Sequence, residues 1–135
     1  MQIELTEKEF RRLLDMVYIG NWILNSCRED DRFEDYEDME EKLFSLCPDH
    51  GMSALTRFWD GHWYPSRAFE EGGIHEAIAD YEDAVFYDIL AEELARRDMS
   101  AEQISQYDDE ALAERMEEYF DEFEKHGIDN VRIEP

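Results

Sequence analysis

Between Phe33 and Leu46 the large apolar residues Phe33, Tyr36, Met39, Leu43 and Leu46 recur at intervals of three and four, and Glu34, Asp35, Glu37, Asp38, Glu40 and Glu41 fill most of the space between them. An α-helix gathers that spacing onto one face, which predicts an amphipathic helix whose solvent side is a row of carboxylates. Pro48 ends the pattern, because its ring cannot continue the helical hydrogen-bond ladder. The run Arg28 to Asp31 before it is charged and reads as a turn.

The same period extends over most of the chain. Thr6 followed three residues later by Glu9 is a capping box, so a helix opens there. Phe10, Leu13, Leu14, Val17, Gly20, Asn21 and Leu24 trace its stripe, widened by Met16, Ile19, Ile23 and Cys27. Gly20 costs about 1 kcal/mol relative to alanine in an exposed helix, which predicts a close helix approach at that point. A long stretch from Gly73 to about Arg97 carries Ile74, Ile78, Tyr81, Val85 and Ile89 on one stripe, while Phe86, Leu90 and Leu94 extend the apolar surface around it. Such a helix needs two contact faces, as the centre of a bundle or with one side in a homodimer. Ser100 and Gln103 offer a cap for a short helix through Ile104, and Asp108 or Asp109 opens the last one, with Leu112, Met116, Tyr119, Phe120 and Phe123 apolar and Gly127 closing it.

The expected fold is therefore mainly α: one acidic domain over residues 1–135, a compact bundle of four principal helices. Alternation at Ile3 and Leu5, and again at Val131 and Ile133, also allows a short two-strand pair formed by the termini. Residues 48–73 lose the helical period. Leu55, Phe58 and Trp59 suit a short helix begun near Ser53, and the rest reads as an ordered loop in which Trp59, Trp63 and Tyr64 either close the core or face a partner.

Charge narrows the function classes. With 37 Asp and Glu against 13 Lys and Arg the formal net charge is -24, so direct contact with nucleic-acid phosphates or with an anionic membrane is disfavoured. A hydrophobic fraction of 43% is enough for a folded core, and no apolar run approaches the length of a membrane span. The amino terminus has neither a basic leader nor an apolar stretch, so cytoplasmic residence is expected. Cys27 and Cys47 lack metal or redox spacing and read as reduced, small core residues.

Catalytic signatures are sparse. None of His50, His62, His75 and His126 belongs to a His-Glu-x-x-His or Glu-x-x-His pattern, and no phosphate-cradling glycine motif is present. Asp60, His62 and Glu76 are the candidate ligands for a divalent metal, giving a metal-dependent enzyme with its site near residues 60–76 as one expectation. A small-ligand-binding regulator is another. No cofactor is predicted, and enzymatic activity is not the leading reading.

That leading reading is an acidic interaction or regulatory module for a basic protein partner. Rows of carboxylates fixed by helices, Asp35, Asp38 and Glu41 on one and Glu114, Glu118 and Asp121 on another, present a charged surface that also suits mimicry of a nucleic-acid backbone. Trp59, Trp63 and Tyr64 add aromatic anchors suited to lysine or arginine side chains.

Overall fold

The computed structural model describes residues 1–99 and 109–134. Its contacts divide the chain into two units, Met1–Ile78 and Ala79–Pro135. The fold is mainly α, with helices α1 (Glu7–Asn25), α2 (Glu34–Phe44), α3 (His75–Asp98) and α4 (Asp109–His126), and a hairpin of strands β1 (Thr56–Trp59) and β2 (His62–Pro65).

In the first unit α1 opens on the expected capping box: the Thr6 hydroxyl accepts the Glu9 N–H at 3.1 Å, and the Glu9 carboxylate accepts the Thr6 N–H at 3.0 Å. Its buried face is Phe10, Leu14, Tyr18 and Asn25. Met16 and Ile23, expected to widen the apolar stripe, are exposed. Gly20 serves no close approach either, since a Cβ built there meets nothing within 4 Å. Buried Asn25 fixes the turn after α1, its amide donating to the Phe33 carbonyl at 3.0 Å and accepting the Phe33 N–H at 2.7 Å. Cys27 lies past the Ser26 cap, beyond the last helical turn, and is exposed rather than in the core; Cys47 is buried, and both are free thiols.

The core of this unit joins Phe10, Leu14, Tyr18, Phe44, Cys47, Phe69 and Ile78. Phe69 is its centre, meeting Tyr18 at 5.1 Å and Phe44 at 4.9 Å between ring centroids, both edge-on, the geometry favoured by the ring quadrupoles. A helical turn, Arg67–Phe69, delivers it, with the Ser66 hydroxyl accepting the Phe69 N–H.

The two-stranded sheet is formed by residues 56–65, not by the termini: residues 1–6 and 131–134 carry no strand. The reason is local. Asp60 and Gly61 both take positive φ, 49° and 79°, the mirror-image turn whose twist matches a two-residue hairpin. Closing so short a loop costs far less chain entropy than joining the two ends of the chain. The short helix expected over Leu55, Phe58 and Trp59 is likewise replaced by the single turn Ser53–Leu55 followed by β1.

Before α3 the backbone kinks at Gly73, φ 112°, where an L side chain is strained although nothing lies within 4 Å of its Cβ position. Gly73→Ala is therefore expected to cost about 1–3 kcal/mol through backbone strain alone. Urea denaturation should show a lower midpoint with an unchanged slope; an unchanged midpoint would mean that the kink relaxes freely.

The second unit buries Ala91, Ala95 and Phe123, with Tyr87 against Phe123 at 5.5 Å. Asp98 gathers the end of α3 onto α4: Arg115 reaches its carboxylate at 2.8 Å, Arg97 at 2.9 Å, and the Tyr119 hydroxyl donates to it. These bonds, Tyr119 first and Arg115 next, hold the Asp98 carboxyl down at about 2. Tyr81, Phe86 and Ile89 on α3 are exposed. The expected short helix from Ser100 through Ile104 lies outside the described residues.

Candidate functional site

The hairpin is the most distinctive surface of the first unit. Its register pairs Trp59 with His62, Phe58 with Trp63 and Arg57 with Tyr64. With a two-residue turn, Trp59 and His62 exchange the ladder bonds, so Phe58 and Trp63 form the non-hydrogen-bonded pair, with side chains close and backbone groups facing outward. Their rings meet at 5.0 Å, and the outward Trp63 N–H is captured by Glu41 of α2 at 3.1 Å. Glu41 also meets His62 Nδ1 at 3.0 Å. The Trp63 amide, first, and His62 hold the Glu41 carboxyl below its ordinary range. One carboxylate thus fastens the hairpin to α2. Phe58 and Trp59 remain 59% and 62% exposed.

A cavity of about 360 Å³ lies between α1, α2 and the hairpin, with Tyr18, Trp22, Asn21, Glu40, Arg57 and Tyr64 among its walls. Asn25 donates to the Asn21 side-chain oxygen at 2.7 Å, and Asn21 donates to Glu40 Oε2 at 3.1 Å. Burial pushes the Glu40 carboxyl up to about 7, against the Asn21 hydrogen bond and with the Glu37 and Glu70 charges adding to the rise. Tyr18 bonds His75 Nε2 at 2.6 Å, and burial, followed by the Glu70 and Glu40 charges, raises its hydroxyl to about 12.

The residues singled out from sequence scatter across this frame. Trp59 is exposed, while Trp63 and Tyr64 are half-buried. Asp35 and Asp38 stand exposed on α2, whereas Glu41 is committed to the hairpin. On α4, Glu118 pairs with Arg115, and Glu114 and Asp121 are exposed. Asp60 sits in the hairpin turn, His62 meets Glu41, and Glu76 lies in the first turn of α3. Among the described residues no group of three or more His, Cys, Asp or Glu is arranged to hold a metal ion. No helix among them is long and apolar enough to cross a membrane.

Fold and charge together define a mainly α, strongly acidic protein with an exposed aromatic hairpin. No family model, no curated protein and no solved structure matches the chain, so the chemistry of these surfaces rests on their own geometry.

Sequence reasoning passed over Glu40, Asn21, Tyr18 and Arg57 as site residues. Glu40 reads as one more carboxylate on a solvated face, and only the packing of α1 against α2 sets it apart. The Asp60-Gly61 turn was the available signal for the hairpin that supplies Arg57 and Tyr64.

Proposed function

We propose that the protein is an acidic interaction module that docks a basic protein partner on the Phe58–Trp59 end of its hairpin. The observation that carries this reading is the exposure of those two large aromatic side chains on a mount that Glu41 fastens to α2. As consecutive strand residues they project to opposite faces, so a partner that grips the hairpin end buries both, which gives binding free energy at little ordering cost because their support is already fixed. Asp60 beside them and Asp38, one helical turn before Glu41, are exposed acids that favour a lysine- or arginine-bearing partner. The net charge of -24 raises the rate of encounter with such a partner and makes that part of the attraction fall with salt.

Affinity capture from the source lysate at low and moderate salt tests the reading, with Trp59→Ala and an unrelated domain of equal charge as controls. A basic protein retained in stoichiometric amount at moderate salt by the native chain, and lost from Trp59→Ala, is the expected result. Recovery of the same salt-labile proteins by all three baits would overturn it.

A further inference from the structure

The cavity between α1, α2 and the hairpin has an electrostatic asymmetry of its own. Glu40 accepts a single hydrogen bond, from Asn21 to Oε2, and its Oε1 has no partner among the described residues. The guanidinium of Arg32 lines the same cavity and its charge favours the Glu40 carboxylate, but it makes no hydrogen bond to it among the described residues: Arg32 pairs with Glu37 and donates to the carbonyls of Asn25 at 3.1 Å and Arg28 at 3.4 Å. Arg57 also lines the cavity, its guanidinium over the Tyr64 ring at 5.1 Å. Glu70 contributes a second carboxylate to the lining, and Trp22, Tyr18 and Tyr64 supply aromatic walls.

We propose that this cavity binds an alkylammonium group, with the ammonium on Glu40 Oε1 and the alkyl chain against Trp22 and Tyr64. An organic cation fits better than a metal ion, since among the described residues no three ligating side chains converge, whereas aromatic walls beside a carboxylate favour a cation with an apolar stem. An ammonium fits better than a guanidinium. Asn21 already donates to Oε2, so the wholly unpartnered oxygen among the described residues is Oε1, which a compact point charge can use alone whereas a planar fork seeks both oxygens at once. The ammonium reaches the cavity either on a free small amine or on a lysine side chain of a partner, and the two sources are separable.

The test is an NMR titration of the isotope-labelled full chain at about pH 8 with n-butylammonium chloride in one arm and N-acetyl-lysine methylamide in the other. Sodium chloride at equal ionic strength is the control. The Trp22 indole and Asn21 side-chain amide signals are expected to shift and saturate with both amines and not with sodium. Glu40→Gln keeps an acceptor for Asn21 while removing the charge. It should weaken both amines by about tenfold or more, the loss of one charge-assisted hydrogen bond. Glu70→Gln should weaken them less, and Glu34→Gln, an equal charge loss at an exposed position of the same helix, by less than about twofold. Tighter binding of the lysine derivative than of the free amine would identify a partner's side chain as the source; the reverse order would identify a free amine. Shifts that fail to saturate, or equal weakening by Glu40→Gln and Glu34→Gln, would overturn the proposal.

Discussion

Glu40→Gln is expected to stabilise the protein at pH 8 by about 1–2 kcal/mol and to change its stability little near pH 4.5. The folded-state carboxyl takes up its proton at about 7, whereas its ordinary value is 4.5. Between those values the folded chain binds more protons than the unfolded one, so stability falls as pH rises through the window, and the full cost of the buried charge is present above 7. At about 1.4 kcal/mol per unit the whole shift corresponds to roughly 3 kcal/mol, which partial exposure to water reduces to the smaller figure. Glutamine carries no charge at either pH and keeps the Asn21 bond. Urea denaturation of the two proteins at pH 5 and pH 8 measures the difference. Equal differences at both values would show that Glu40 titrates as a solvated carboxylate.

Phe69→Ala is expected to cost about 3–5 kcal/mol, the largest stability loss of any substitution considered. The side chain is 1% exposed, edge-on to Tyr18 and Phe44, with the Arg11 guanidinium 4.9 Å from its ring centroid. Alanine leaves a cavity bordered by both rings and removes the surface on which α1 and α2 meet the turn Arg67–Phe69. For a chain of this size such a loss is a large fraction of the whole stability. Denaturant unfolding followed by near-ultraviolet circular dichroism reads it directly, and Phe69→Leu should lose much less because it refills most of the volume. A cost below about 1 kcal/mol for Phe69→Ala would place the centre of the core elsewhere.

The helices were legible because their period is written in large residues. The amino-terminal cap was legible too, since Thr6 and Glu9 need only be three residues apart to satisfy one another. The buried face of α1 was harder. Leu13, Val17 and Leu24 outscore Tyr18 and Asn25 on hydrophobicity, yet Tyr18 and Asn25 are the more buried, because each polar atom finds a partner, His75 for one and the Phe33 backbone for the other. Cys27 failed for a simpler reason: the helix ends before it.

The hairpin was readable but outcompeted. Leu55, Phe58 and Trp59 have helical spacing, and Asp60-Gly61 has hairpin chemistry. The turn prevails because its backbone twist aligns Thr56–Trp59 with His62–Pro65 and pairs their aromatic side chains. The cavity had no local signature. Asn21 and Glu40 are nineteen positions apart, and only the packing of α1 on α2 brings them to 3.1 Å. Among the acids, sequence gave no means of separating Glu41, which fastens the hairpin, from Asp38, which stays exposed.

A protein that binds through a fixed aromatic anchor and a diffuse negative field should show the two contributions separately. The decisive measurement is the affinity of the purified partner for the native chain and for Trp59→Ala at low and moderate salt. Trp59→Ala is expected to weaken binding by about 2 kcal/mol or more at both salt levels, as an anchor at the centre of an interface does, while salt weakens both proteins in parallel. Equal affinity of the two proteins, with salt alone setting its value, would contradict the hairpin as the docking surface.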